Sequence, residues 1–458
     1  MEAKDMIKFY PSFNNIFENF HGLAGNQTGI MKSTVMPLVN FNDGVCLKSI
    51  TGNMPNYHKQ LIDNPNMDVQ YHIIGYGTYY EEALIKYTGE SIERYSTMVA
   101  PKLVEEDIFY ASYKEVSKLG KTMPIKYMDV FTKDQIKQSF EYGMDIHSEK
   151  ITEDDVIGWI KCASLFNPKE NIWVPAKMMF VGYQSNIKKS EKSFIPSFST
   201  GTAAHKSLKK SLINALVEYI QIDAFIINWY TKRKCPLVKI DDENVKRVLE
   251  SVKLDENSPY EIIPMYNTLP ELPLPIFGVF LKRKDKKMPY LVYGVQGDFD
   301  TKNGMVRAIM EAAAISYGGY YSAIYSREKL KYVLGDDPKF LDLDMNVLYY
   351  SASDKMEEKD ELIDSLIEGE ILLSKINTIE DLSEDSQLNH LIKYLSKLSE
   401  YAVYMDVTPP EAREKGWYVS RVLIPEILEM CIPEFPFANH PRILEYGGVK
   451  NEYPHPMP

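Results

Sequence analysis

Apolar positions along this chain change spacing from segment to segment, and the changes outline its elements. Residues 79–98 read as a helix, and 203–230 as a long helix with strongly apolar surroundings. Residues 171–183 form an apolar strand pattern broken by Pro175, since proline cannot donate to a ladder. Two further runs, 275–283 and 289–297, flank Lys284-Asp285-Lys286-Lys287 and predict a hairpin. Residues 303–317 are helical in pattern, with Glu311 alone among small and apolar neighbours. Helices follow through an acidic stretch, and strands are predicted at 401–407 and 417–423. Helices and strands alternate, but hairpins are mixed among them. This pattern predicts an α+β architecture with mixed sheets and packed helices rather than a purely doubly wound sheet.

Length and composition narrow the picture. A chain of 458 residues can bury a large core and is expected to form two or three lobes. Its formal net charge of −12 argues against electrostatic binding of nucleic acid or anionic membrane. No apolar stretch approaches the ~18 residues of a membrane span, and no basic-then-apolar N-terminal signal segment is visible. The four cysteines (Cys46, Cys162, Cys235, Cys431) and eight histidines are dispersed, which disfavours zinc and disulfide frameworks. A cytoplasmic, reduced protein is expected. No short repeat and no low-complexity linker divides the chain.

Charged groups on apolar helices carry the chemistry. Lys86, Glu90, Glu93 and Arg94 fall at offsets of four, three and one, near one helix face. They could form a surface salt-bridge lattice. The preceding His72-Ile-Ile-Gly75-Tyr-Gly77-Thr reads instead as a Gly-rich loop entering the helix, where backbone amides suit an anion. Magnesium takes a few carboxylates together with phosphate oxygens, and arginine suits phosphate. Along the second helix Lys206, Lys210, Asn214, Glu218 and Gln221 again share a face. Glu218 lies in apolar surroundings, so it needs either a partner such as Lys210 or a metal. Glu311 is a third isolated acid. Together these favour a nucleotide–Mg²⁺ site, although no Walker-type or kinase-type loop is present.

The chain finishes on Tyr453-Pro454-His455-Pro456-Met457-Pro458. Proline at every second position predicts a stiff extended rod, either a frayed terminus or a segment inserted into a site elsewhere.

Several of these segments resemble YcaO-domain proteins. The matching stretches are Gly75-Tyr-Gly77-Thr, Glu90-Ser-Ile-Glu93-Arg94-Tyr95, Val174-Pro-Ala-Lys, Ser199-Thr-Gly-Thr-Ala-Ala-His, and Glu218-Tyr-Ile-Gln221-Ile-Asp223. Asp406-Val-Thr-Pro, the run from Gly416 to Pro425 and the terminal proline ladder complete the match. The resemblance spans residues 65–458, leaving 1–64 as an N-terminal segment, and the ladder points to the azoline-forming, streptolysin-S-type branch.

The resemblance implies a YcaO-type fold and a cyclodehydratase that uses ATP and Mg²⁺. Such an enzyme converts Cys, Ser or Thr residues of a ribosomal precursor peptide into thiazolines or oxazolines, in bacteriocin or cytolysin maturation. The side chain attacks the preceding carbonyl, the oxyanion is phosphorylated, and phosphate leaves. It implies ATP contacts from Lys86, Glu90, Glu93, Arg94, Lys210, Glu218, Gln221 and Glu311, with Glu90, Glu93 and Glu218 as metal ligands. Pro454, Pro456 and Pro458 would be catalytic through the terminal carboxylate. A ThiF/E1-like leader-binding partner, a flavin-dependent azoline dehydrogenase and a homodimer are also implied.

The pattern is broken in places. Lys86 stands where the family has a small hydroxyl residue, Lys206 where Asn is usual, and Lys210 where Glu is usual. Gln221 and Ile222 replace a Glu-Arg pair. Either Lys210 supplies a charge in place of a metal, or the chain is a degenerate docking subunit of the same complex.

Overall fold

The computed structural model describes residues 13–25, 29–31, 33–35, 44–55, 57, 72–144, 150–195, 197–325, 327–335, 337–379 and 383–458. Among the described residues, three sheets form the frame. The first is β1 (Ser33–Val35), β2 (Lys48–Asn53) and β3 (His72–Gly77), joined in that order. The largest contains β4 (Phe109–Ser112), β5 (Val156–Ser164), β6 (Asn171–Pro175), β7 (Thr202–His205), β13 (Val403–Asp406) and β14 (Tyr418–Leu423). Its order is β4-β5-β13-β14-β7, with β6 also paired to β5. The third holds β8 (Cys235–Lys239), β9 (Tyr260–Tyr266), β10 (Ile276–Arg283), β11 (Leu291–Gly297) and β12 (Ile367–Leu372), ordered β11-β10-β9-β8-β12. Among the described residues, strands β12 and β8 run parallel and the other strand pairs are antiparallel, with a single parallel bridge joining Thr122 to Trp173. The predicted hairpin is β10–β11, and the two late strands pair as β13–β14.

Three long helices lie between these sheets. Helix α1 (Tyr80–Leu103) packs on β3 and reaches β7. Helix α2 (Leu208–Tyr230) packs on β7 and β14 and also touches β11. Helix α3 (Thr301–Tyr325) covers β10 and β11 and reaches β3. From Ile220 to Tyr230 every residue of α2 is buried, as expected of a helix enclosed on all sides. Two shorter helices matter below: α4 (Leu343–Ser351), which packs against α3, and α5 (Glu384–Leu398), which packs against α2.

Two sequence expectations need correcting. The long helix does not begin at 203. Ala203, Ala204 and His205 pair with Ser420, Val419 and Tyr418, and the helix starts only after Ser207, whose hydroxyl accepts from the Lys210 amide at 3.2 Å. Nor is 72–77 a loop: it is strand β3. Its glycines allow close helix approach, since a Cβ on Gly75 would lie 2.1 Å from the Ala83 carbonyl oxygen and 2.4 Å from the Tyr87 nitrogen. The Thr78 amide at the entry to α1 already donates to Glu82 at 3.0 Å. The 64/65 division falls outside the described residues. On either side of it, β2 and β3 pair from Lys48–Gly77 to Asn53–His72.

Candidate functional site

Helix spacing brings the first acids together. Glu90 and Glu93 lie three residues apart on α1, and Arg94 reaches both, at 3.7 Å from Glu90 and 3.2 Å from Glu93. The other Glu90 oxygen accepts from the Ile74 amide of β3 at 3.3 Å. Opposite, α2 presents Glu218. Burial pushes the Glu93 carboxyl well above the usual range, with repulsion from Glu218 and Glu90 adding to it and Arg94 opposing. Burial likewise raises Glu218 to about 7, held down by Arg94 and Arg421 and pushed up by Glu90 and Glu311. Buried carboxyls thus outnumber the two arginines that act on them, Arg94 and Arg421, a setting that favours a bound cation.

Helix α3 supplies the fourth acid. Glu311 accepts from the Val295 amide at 2.7 Å and the Gln296 side chain at 3.1 Å, and burial raises it to about 7. Gln221, one turn after Glu218, accepts from the Gly297 amide at 3.0 Å. The end of β11 is therefore tied to both acid-bearing helices. Lys86 and Arg307 each pull the Glu311 carboxyl back down. Lys86 pairs with Glu82 at 3.0 Å and lies 4.4 Å from the centre of the Tyr76 ring. Arg307, at the exposed edge, pairs with Asp298 at 2.9 Å.

Sequence reasoning missed Arg421. It is fully buried on β14, and its guanidinium donates to the carbonyls of Met178 (2.8 Å), Met179 (3.0 Å) and Thr200 and to the Thr202 hydroxyl (3.2 Å). Its charge lowers both Glu93 and Glu218. Behind it, Glu429 lies 3.8 Å away, 4% exposed, with no hydrogen-bond partner for either carboxyl oxygen among the described residues. An arginine inside a buried strand, among apolar residues, was the available signal.

The Lys210 ammonium donates to Gln387 of α5 at 2.9 Å, and the largest influences on Glu218 come from other groups. Lys206 is turned away, to Asn19 at 2.8 Å and the Lys415 carbonyl at 2.7 Å, over the Trp417 ring. The proline tail is not a straight rod. It bends at Tyr453 and Pro456 and is buried from Pro454 to Met457, with Pro458 exposed. The His455 ring meets Phe225 and Tyr230 near the C-terminal end of α2. Phe225 lies seven residues beyond Glu218, about 10 Å along the helix. Among the described residues, no hydrogen bond or ion pair joins Pro454, Pro456 or Pro458 to the acids.

Among the described residues no three His, Cys, Asp or Glu side chains converge on a metal position by themselves. A magnesium ion usually takes one or two carboxylates, several waters and substrate phosphates, so the paired acids fit a site shared with a phosphate ligand.

A family model described as YcaO cyclodehydratase, ATP- and Mg²⁺-binding, matches residues 74–428. The chain belongs to the YcaO family. Solved structures show the same YcaO fold. A heterocyclase in complex with substrate and cofactor aligns with a TM-score of 0.69 at 15% identity, over 97% of this chain but 57% of that one. YcaO from Methanopyrus kandleri, bound with AMPPCP and Mg²⁺, aligns at 0.61 and 15% identity, over 93% of this chain and 96% of that one. The E. coli microcin synthetase McbBCD complex aligns at 0.57 and 14% identity, again over 93% and 96%. The curated proteins contain no significant sequence match to this chain. As in other YcaO folds the sheets are mixed with packed helices, and no described helix is long and apolar enough to cross a membrane.

Proposed function

We propose that this YcaO protein catalyses ATP- and Mg²⁺-dependent cyclodehydration of Cys, Ser or Thr residues in a ribosomal precursor peptide, giving thiazolines or oxazolines. The observation that carries the reading is the burial of Glu90, Glu93, Glu218 and Glu311 on three helices, with Arg94 paired to the first two, Arg94 and Arg421 acting on Glu93 and Glu218, and Lys86 and Arg307 acting on Glu311. The nucleotide-bearing YcaO neighbour and the heterocyclase with its substrate support the choice of reaction. When bound, ATP would supply the phosphoryl group that converts the amide oxygen into a leaving phosphate, and Mg²⁺ would neutralise the charge on the phosphates. Glu90, Glu93 and Glu218 are the carboxylates that would share the cation with waters and the nucleotide's phosphate oxygens. Arg94 neutralises charge between them, while Lys86 and Arg307 place positive charge at the edge near Glu311, where an anionic ligand enters. Fixed charges of this kind act by positioning and electrostatic stabilisation. The multi-subunit microcin synthetase supports action within a complex, with a ThiF-like leader-binding partner and a flavin-dependent azoline dehydrogenase as the expected companions.

The test combines protein, precursor peptide, partner, ATP and Mg²⁺ and follows the loss of one water mass per modified residue. Glu93→Gln and Glu218→Gln are each expected to lower turnover about 100-fold. Absence of mass loss and of peptide-dependent phosphate release, with a partner of verified activity, overturns the reading.

One observation favours a second reading, a non-catalytic docking subunit of the same complex: Lys206 and Lys210, at positions where the family pattern has Asn and Glu, both engage groups outside the acid cluster. On that reading Glu90→Ala and Glu93→Ala leave the activity of the assembled complex intact.

A further inference from the structure

Helix α4 carries a fully buried asparagine, Asn346, facing the last residues of the chain. Its amide nitrogen lies 2.6 Å from the His455 carbonyl oxygen and 2.5 Å from that of Met457. The same nitrogen is 3.3 Å from the His455 ring. The amide oxygen is occupied elsewhere, accepting from the Val347 amide at 3.0 Å. Chemistry allows only this orientation, since the flipped amide would set its oxygen against two carbonyl lone pairs.

In a straight extended run, residues two apart are separated by about 6.6 Å. Here one nitrogen gathers both carbonyls, so the chain must turn between them, at Pro456. Proline has no N–H, so this segment cannot be held by a backbone ladder. It is held by side chains. The Tyr350 hydroxyl donates to the Pro454 carbonyl at 2.7 Å, and the Trp229 indole to that of Tyr453 at 3.1 Å. His455 approaches the Cys431 carbonyl at 2.9 Å. Trp229 sits on α2, and Asn346 and Tyr350 sit on α4, so the segment is fastened to the helix that carries Glu218 and to the neighbour of the helix that carries Glu311.

We propose that Asn346 is a positioning residue for the C-terminal segment: its single amide fixes the turn at Pro456 and with it the heading of the residues that follow. The catalytic consequence rests on the function proposed above. An aspartate could not fill this role, because it offers no N–H to the two carbonyls, and leucine would leave both buried without a donor.

The experiment uses the 458-residue chain with two variants, Asn346→Leu and Tyr350→Phe, the second removing one hydroxyl while keeping the ring in place. Carboxypeptidase digestion, followed by mass, is expected to remove residues 456–458 about tenfold faster from Asn346→Leu than from the parent, with Tyr350→Phe between them. With precursor, partner, ATP and Mg²⁺, kcat is expected to fall about tenfold while KM for the peptide stays within about twofold. A purely structural role would lower the amount of active protein without that split between variants matched for folded fraction. Should Asn346→Leu fail to fold, Tyr350→Phe carries both measurements. Unchanged digestion overturns the clamp whether or not the protein turns over peptide. Faster digestion with parental kcat overturns the positioning role. A parent without turnover counts against the proposed function and the positioning role together, while digestion still decides the clamp.

Discussion

Glu429 shows how far a single side chain can set the energetics of this protein. Its carboxyl is buried behind Arg421, whose guanidinium is already committed to three carbonyls and a hydroxyl. Burial raises it from 4.5 to about 8, with Arg421 pulling it back. At neutral pH the folded protein therefore keeps a proton that the unfolded chain has released. Below about pH 4.5 both states are protonated and the residue is neutral in each. As pH climbs from there to about 8, the unfolded state binds fewer protons than the folded one, and stability is lost. Glu429→Gln removes this penalty. Relative to the parent, the variant is expected to gain stability progressively between about pH 4.5 and 8, on the order of 4 kcal/mol at the upper end. Urea unfolding at a series of pH values checks it, and a difference that is flat with pH contradicts it.

At the scale of elements, the contact between β3 and α1 holds the first acid pair in place. The Gly75 site leaves no room for a Cβ, and Gly52 of β2 has the Tyr87 hydroxyl 2.2 Å from where one would stand. Gly75→Ala is expected to destabilise the fold by about 2 kcal/mol or more, read as a lower urea midpoint, because backbone rather than a flexible side chain must yield. These glycines were visible in the sequence, but their reason was not: nothing local distinguishes a glycine kept for close packing from one kept for a phosphate loop. Helices α1 and α3, the β10–β11 hairpin and strands β13 and β14 were legible, because their apolar runs match their periods and the Lys284–Lys287 turn punctuates them. The first turn assigned to α2 was misread. Ala203 and Ala204 favour helix by propensity, and pairing with β14 overrides it. Within the site, the Glu90–Glu93–Arg94 face followed from spacing alone. Arg421 and the contact of Lys210 with Gln387 did not, since both depend on segments about 200 residues apart in sequence.

Across the whole molecule, three acid-bearing helices are clamped between three sheets, and the terminal segment closes the C-terminal end of one of them. His455 is fully buried and Met457 nearly so. Removing residues 454–458 would uncover Phe225, Tyr230 and Tyr350. That deletion is expected to lower Tm by roughly 5 °C and to raise binding of a hydrophobic dye. An unchanged melt shows that the segment adds nothing to packing. Loss of turnover on this deletion therefore does not isolate catalysis, whereas changing the exposed Pro458 alone leaves the buried part in place. The opposite end of the same helix has its own fastening. Asn19 accepts from both Lys206 and the Trp417 indole, and the lysine ammonium stands 4.6 Å from the centre of the Trp417 ring. Trp417 is thereby a built-in optical probe: its emission reports whether the short Phe13–Asn19 helix is seated, and comparison with a Trp417→Phe variant isolates that signal without touching an acid of the site.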